Sequence, residues 1–378
     1  MLHLLDSAAP QVPASPTVIV IGAGIIGASI AWHLARRGAA VTVVATRTGG
    51  EATPNSFAWI NASWGNPEFY YRLRLRSMRE WARLAEDLPA LPLQWSGGLC
   101  WDLPVGQLEA YAVEHGGWGY DLRPVDRAKS LTIEPNLAEP PEFALFAAEE
   151  GAVEPVAAAK LMLGDAFRLG ATLLPDVVVE GLVEESGRIV GVRTSDATLR
   201  ADHVVLAAGS GSLAIAATAG LDLPMSSPPG LIVHSRPHAK ILNGLVIAPH
   251  LHMRQTSEGR VIAGSDFGGS DPGADPQGVA DDLFSAMKAM LRNGGGLELE
   301  TFTVGHRPTP VDGFPIIGAV DQAPGLYLAV MHSGVTLAPL VGLLAANEII
   351  GGTPDASLAP LRFSRFASGN ARLTHGRA

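Results

Sequence analysis

Residues 18–45 constrain the fold of this chain more than any other stretch. Branched apolar residues at 18–21 predict a strand that is buried on both faces. Three glycines follow in G-x-G-x-x-G spacing, which is typical of a tight turn, a close backbone approach to a pyrophosphate and a helix packed on the strand. A helix and a second strand at 41–45 complete the unit. This context predicts a dinucleotide site at the helix N-terminus, formed at Gly22, Gly24 and Gly27.

One position departs from the pattern. A dinucleotide fold usually ends its second strand in Asp or Glu, whose carboxylate accepts hydrogen bonds from the ribose hydroxyls. Here Ala45 stands at that place, and Thr46 and Arg47 follow it. A missing acid beside an arginine is typical of a ribose that carries a 2′-phosphate. The motif alone therefore leaves FAD, NAD and NADP open.

Composition excludes several classes of protein. The 378 residues are 47% hydrophobic and 17% charged, as expected for a soluble globular chain with ample core in one or two domains. A net charge of −10 without a basic cluster argues against nucleic acid as a partner. The single Cys100 excludes internal disulfides and cysteine-based metal sites, so we expect no metal and a buried thiol. The first sixteen residues lack a secretory pattern and the apolar run at 204–221 is broken by glycines, which predicts a cytoplasmic protein without a membrane span.

The order of predicted elements indicates an α/β fold with two domains. Helices are expected at 68–88, 156–169, 279–291 and 337–350, and short strands with turns at 89–141. The first domain, which binds the nucleotide, is expected to combine residues 17–75, 150–222 and 303–370. The second, an α+β domain with a mainly antiparallel sheet, is expected to combine residues 76–149 and 223–302. Trp59 and Trp64 are candidates for the wall of an apolar pocket.

Two segments near the carboxyl end carry a family resemblance. Residues 305–318 (GHRPTPVDGFPIIG) and 325–339 (GLYLAVMHSGVTLAP), with the glycine turn and residues 204–209, resemble the D-amino-acid oxidase family, which includes glycine oxidase and sarcosine oxidase. The resemblance covers roughly residues 17–352. It implies a Rossmann-type domain that binds FAD rather than NADP, and a separate substrate domain.

The resemblance also implies a reaction. A small amine or amino acid, D-configured, glycine-like or N-substituted, would lose hydride from its α-carbon to flavin N5, and water would hydrolyse the imine. Such chemistry depends mainly on aligning the C–H bond over the flavin. The partners would be this substrate and oxygen or another electron acceptor.

Three residues are the catalytic candidates that the resemblance implies. Arg307 matches the family arginine that clamps a substrate carboxylate with its planar fork, and the alternative is that it only braces its loop. His252 stands in the strand that supplies a tyrosine over the substrate in several relatives, so it is either a substrate contact or a structural histidine. His332 lies where the family chain passes the flavin ring.

The expected FAD contacts follow from the same resemblance. The helix that begins near Gly334 would aim its amides at the flavin C2 carbonyl, where charge collects on reduction. The carboxyl end lacks the cysteine that attaches flavin in covalent sarcosine oxidases, which predicts non-covalent FAD. The full set of expected contacts is Gly22, Ala23, Gly24, Ile25, Ile26, Gly27, Thr46, Arg47, Ser56, Val179, Ala208, Gly209, Gly334, Val335, Thr336 and Leu337.

Three other functions stay open at this point. The chain could be the flavoprotein subunit of a multi-chain dehydrogenase, in a homo- or hetero-oligomer, which would be reduced by substrate without releasing peroxide. A non-catalytic FAD-binding protein would not be bleached by any amine. An NADP-dependent reductase is favoured by Ala45 with Arg47 and opposed by the carboxyl-terminal segments.

Overall fold

The computed structural model describes residues 15–62 and 65–366. The helices in this part of the chain are α1 (Ile25–Arg36), α2 (Glu68–Asp87), α3 (Val105–Gly117), α4 (Arg127–Ile133), α5 (Pro155–Arg168), α6 (Ser212–Ala217), α7 (Pro276–Ala289) and α8 (Gly334–Gly351). The strands are β1 (Thr17–Ala23), β2 (Ala40–Thr48), β3 (Trp59–Ile60), β4 (Leu93–Gln94), β5 (Gly98–Cys100), β6 (Leu122–Asp126), β7 (Phe143–Ala147), β8 (Gly151–Val153), β9 (Thr172–Pro175), β10 (Val179–Glu185), β11 (Arg188–Thr194), β12 (Thr198–Arg200), β13 (His203–Leu206), β14 (Met225–Ser226), β15 (Pro229–Ser235), β16 (Leu245–Ile247), β17 (His252–Gln255), β18 (Val261–Gly264), β19 (Leu299–His306), β20 (Thr309–Pro310), β21 (Ile316–Ala319) and β22 (Leu326–Val330).

A six-stranded sheet forms the layer that contains the glycine turn. Its strand order is β21-β22-β13-β1-β2-β9, parallel except for the edge pair β21–β22. Helices α1, α5 and α8 cover one face, and the small sheet β10–β12 packs on the other. Because β1 lies between two layers, Val18 to Ile21 are at most 3% exposed. The predicted strand buried on both faces is confirmed.

A second large sheet has eight strands, in the order β19-β15-β18-β17-β16-β5-β7-β6. All of its neighbouring strands are antiparallel except β16 and β5. Alternate residues such as Val233 and Met253 pack against α7, while Ile232 and Ile262 face the opposite side with the buried Cys100. The α/β fold class with a mainly antiparallel second sheet is thus confirmed. Strand β19 crosses residue 302, where the sequence predicted a change of domain.

The prediction of only strands and turns at residues 89–141 is wrong. The structure has two helices there, α3 and α4. Helix α3 fully buries only Leu108 and His115 along its length, and it contains Gly106, Gly116 and Gly117. The apolar periodicity is therefore faint and the helix propensity low, so tertiary packing decides the conformation. The other predicted helices are confirmed, although α7 begins at Pro276 and α8 at Gly334, each three residues early.

Helix α8 is the most apolar helix in the core. By length and composition it is the one helix in the described ranges that could cross a membrane, but 67% of its 18-residue window is buried inside the molecule. It packs against α1 and α2, as the core helix of a globular protein does. Its interior contains Pro339, which removes one backbone donor.

Candidate functional site

The glycine turn is closed by contacts that a side chain would break. Gly22 adopts φ +107°, and a Cβ there would collide with the carbonyl of Ala207. A Cβ at Gly27 would collide with the carbonyl of Gly22, so α1 can pack on β1 only with glycine at this position. The Ala207 amide donates to the Ile21 carbonyl at 3.0 Å. The turn after β13, with Ala208 and Gly209, therefore lies against the first glycine, and these predicted residues are brought together.

The first turn of α1 offers backbone donors at this place. The helix begins after Gly24 without a side-chain cap. The Ile25 amide donates to Thr53 Oγ1 at 3.1 Å, so it is already used. The amides of Ile26 and Gly27 remain, since first-turn amides have no partner within the helix. Thr53 is only 7% exposed, and the sequence analysis did not identify it as a site residue. Its only signal in the sequence is its place in the loop after β2.

The predicted adenosine end lies at the end of β2. Thr46 and Arg47 are exposed there. The backbone carbonyl of Ala45 accepts a hydrogen bond from the Val177 amide at 3.3 Å, which places Val179 close by. Ser56 lies in the following loop, where its Oγ accepts from the Ala58 amide at 3.0 Å.

The N-terminus of α8 is a second cluster of backbone donors. Its cap, Ser333, is left-handed (φ +59°) and makes no side-chain cap bond. The Leu337 amide donates to the Ser333 carbonyl at 3.2 Å, so Leu337 is the one predicted donor here that is already bonded within the helix. The amides of Gly334, Val335 and Thr336 are the first-turn donors. Thr336 Oγ1 donates to the Trp59 carbonyl at 3.0 Å and fixes the facing loop.

His252 and Arg307 lie across glycine gaps in the eight-stranded sheet. His252 pairs with Gly264 across β17 and β18, and a methyl group at Gly264 would lie 2.6 Å from His252 Nε2. Gly230 pairs with Gly305 in β19, and a methyl group at Gly230 would lie 2.7 Å from Arg307 Nη2. The side chains of His252 and Arg307 therefore lie directly over glycine backbone, in the same part of the sheet.

The electrostatics of this pair favour a negative ligand. Burial, with the charge of Arg307 as a second cause, lowers the pKa of His252 to about 3, so the imidazole is neutral at pH 7. Burial also lowers the pKa of the Arg307 guanidinium. Arg307 Nη2 donates to the Asp266 carbonyl at 3.1 Å, whereas Nη1 is buried without a hydrogen-bond partner in the described ranges. A buried charged donor of this kind fits a carboxylate.

Aromatic rings line the approach to the pair. Phe267 stacks on His252 with ring centroids 3.8 Å apart, and Phe57 meets the same imidazole edge-on at 4.5 Å. Trp59 lies 5.1 Å from Phe267 by ring centroids. Trp64, the other predicted wall residue, lies outside the described residues.

His332 occupies a different place from the other two catalytic candidates. It is half-buried between β22 and α8, and its Nδ1 lies 3.1 Å from Ser333 Oγ. The structure thus brings His252 and Arg307 together on the sheet and places His332 at the start of the flavin-facing helix predicted from the sequence.

These features fit a flavin dinucleotide. The glycine turn and the α1 amides suit a diphosphate, and the α8 N-terminus suits an electron-rich carbonyl. A family model described as DAO, FAD dependent oxidoreductase, matches residues 17–348. The chain belongs to this family. Its members are FAD-dependent oxidoreductases, which confirms the predicted family, the enzyme class and FAD as the cofactor.

Individual relatives are distant but align over most of the chain. Glycine oxidase from Pseudomonas putida is 28% identical over 367 residues, with 92% of this chain and 98% of the relative aligned. The bifunctional protein ThiO/ThiG from a Nostoc species is 27% identical over 385 residues and 95% of this chain, which spans only 57% of that relative's length. The crystal structure of glycine oxidase from Geobacillus kaustophilus superposes with a TM-score of 0.83 at 24% identity, with 93% of this chain and 99% of that one covered.

Proposed function

We propose that the protein oxidises a small amine or amino acid, by hydride transfer from the α-carbon to the flavin. The observation that carries this proposal is the buried, unpartnered Nη1 of Arg307 beside a neutral His252 in the described site. A D-amino acid, a glycine-like or an N-substituted amino acid supplies the carboxylate that this donor requires. The similarity to glycine oxidase supports the same substrate class.

FAD, when bound, supplies the hydride acceptor; the chain supplies binding and orientation. Arg307 holds the carboxylate with its fork and thereby fixes the α-carbon. Its positive charge favours the neutral form of the nearby substrate amine, which is the form that loses hydride. His252 adds no second cation because it stays neutral, and we propose it as a substrate contact. His332 is proposed to contact the flavin edge, where the amides of residues 334–336 stabilise the reduced ring.

We further propose the arrangement around this chemistry. Residues 17–75, 150–222 and 303–370 form the FAD domain, and residues 76–149 and 223–302 the substrate domain. FAD is bound non-covalently by the predicted contacts at the glycine turn, the end of β2, Ser56, Val179, residues 208–209 and the α8 N-terminus. The protein acts in the cytoplasm, alone or in an oligomer, with oxygen or another acceptor reoxidising the flavin.

An anaerobic absorbance titration of the purified yellow protein tests the proposal. Bleaching of the flavin by at least one amine or amino acid, with the matching carbonyl product, is expected. Peroxide release on admitting air then identifies an oxidase, and its absence identifies a dehydrogenase. A protein that no amine in a broad panel bleaches would contradict the proposal, and flavin that stays with the denatured polypeptide would contradict non-covalent binding.

A further inference from the structure

The buried carboxylate of Glu150 contacts Trp59, one of the aromatic residues near the His252–Arg307 pair. Glu150 is fully buried, and its two oxygens accept from different side chains. Tyr120 Oη donates to Oε1 at 2.8 Å, and Trp59 Nε1 donates to Oε2 at 2.8 Å. Both donors come from other parts of the chain, and Tyr120 Oη also accepts from the Ala62 amide at 3.5 Å, so Glu150 belongs to a set of hydrogen bonds that joins these segments.

Both the backbone and the indole ring of Trp59 make specific contacts. Its backbone pairs with Ala152 in β8, and its carbonyl accepts from Thr336 at the start of α8. Its indole nitrogen is held by Glu150, while its ring meets Phe267, which covers His252. The backbone of Trp59 is therefore fixed at the α8 N-terminus, and Glu150 orients its indole beside Phe267 and so next to His252.

We propose that Glu150 is a positioning residue that fixes Trp59 as the wall limiting the group carried by the substrate α-carbon. This inference rests on the proposed amine or amino-acid oxidation. The carboxylate accepts from Trp59 and Tyr120 at the same time, whereas a methionine side chain of similar size offers neither of them an oxygen acceptor. Without this acceptor the indole loses the hydrogen bond that orients it, and the size limit relaxes.

The test is Glu150→Met with Glu134→Met as its matched control. Glu134 is an equally buried glutamate that accepts from the amides of Asn243 and Gly244, away from Trp59. Both variants lose buried hydrogen bonds to a carboxylate and are expected to lose stability. Only Glu150→Met is expected to raise kcat/KM for a leucine-sized side chain relative to glycine, by about 10-fold, the effect of one such hydrogen bond.

Two readouts work without turnover. Flavin absorbance reports binding of acetate against phenylacetate, and Glu150→Met is expected to favour the larger carboxylate by a similar factor. The indole N–H signal of Trp59 in a 15N spectrum, assigned with Trp59→Phe, is expected to move upfield in Glu150→Met, because the hydrogen bond is lost, and to stay in place in Glu134→Met. These readouts decide the inference even if no amine bleaches the flavin, a result that counts against the proposed function alone.

A second variant keeps the test valid if Glu150→Met does not fold. Trp59→Phe retains a ring but removes the N–H, and it is expected to relax discrimination in the same direction. In the double variant the two effects are expected not to add, because they interrupt one hydrogen bond. Unchanged discrimination and an unmoved indole signal in Glu150→Met, or fully additive effects in the double variant, would overturn the proposal.

Discussion

The indole nitrogen of Trp81 donates a hydrogen bond to the carbonyl of Val335, 3.0 Å away. Val335 lies four residues before Pro339, which has no amide hydrogen to offer it. Ser77 Oγ also donates to the next carbonyl, of Thr336, at 2.7 Å. Helix α2 thus supplies the one donor that the proline removes, adds a second hydrogen bond at Thr336 and holds the first half of α8 in place.

Trp81→Phe is therefore expected to lower the free energy of unfolding by about 1–3 kcal/mol, because it leaves a buried carbonyl without a donor. It should also weaken FAD binding if the N-terminus of α8 faces the flavin as proposed. Pro339→Ala restores a backbone donor to Val335, so in that background the same substitution is expected to cost less than half as much. Urea unfolding of the wild type, the two single variants and the double variant measures this, and equal costs in both backgrounds would contradict the argument.

Arg307→Ala is expected to lower kcat/KM on a carboxylated substrate about 30- to 5000-fold, since removing the partner of a buried charge costs about 2–5 kcal/mol. FAD content should remain normal. Arg307→Lys keeps the charge but loses the fork and is expected to recover only part of the activity. Steady-state kinetics of both variants measure the effect. Arg260→Ala, which breaks an ion pair with Glu300 elsewhere in the protein, is the control and should leave the kinetics unchanged. Unchanged kinetics in Arg307→Ala would leave this residue as a brace for its loop.

Ala45→Glu is expected to tighten FAD binding by about 10- to 150-fold, because a ribose hydroxyl bonded to a carboxylate contributes about 1.5–3 kcal/mol. Ala40→Glu is the matched control: it adds the same side chain at the exposed start of β2, at the opposite end of the strand from the glycine turn. Fluorescence titration of the apoprotein with FAD compares the three proteins. Equal or weaker affinity in Ala45→Glu would mean that this chain holds the adenosine ribose by another route.

Stability is expected to fall as the pH drops from 6.5 towards 3. The pKa of His252 is about 3 in the folded protein and 6.5 when exposed. Between these two pH values the unfolded chain therefore binds a proton that the folded chain does not bind. At pH 4 this amounts to about 3 kcal/mol. His33, whose pKa burial also lowers to about 3, contributes in the same direction.

His252→Phe tests this pH dependence. The variant should show a shallower loss of stability between pH 6.5 and 4, measured by urea unfolding across that range. His250→Phe, at an exposed position two residues earlier, is the control and should keep the wild-type slope. A His252→Phe slope equal to wild type would show that the imidazole is protonated in the folded state.

The glycine turn of the candidate site was predictable because its parts are close along the chain. Gly22, Gly24 and Gly27 lie in one turn between two adjacent strands, and the close contacts of Gly22 and Gly27 in the structure explain why that spacing requires glycine. Helix periodicity likewise predicted α2 and α5 almost to the residue. Helix α3 was not predicted because only Leu108 and His115 of this helix are buried, which leaves little apolar periodicity in its sequence.

By itself, then, the sequence determined the strand–turn–helix unit at the glycines, the α/β class with a mainly antiparallel second sheet, and the family, because these depend on neighbouring residues and short spacings. The tertiary structure alone decided the arrangement of the candidate substrate side. Strand register sets His252 across Gly264, the Arg307 guanidinium lies over Gly230, and Glu150 reaches Trp59 over 91 residues of chain. Such contacts join distant segments whose alignment depends on how two sheets pair and pack, and no local pattern encodes that alignment.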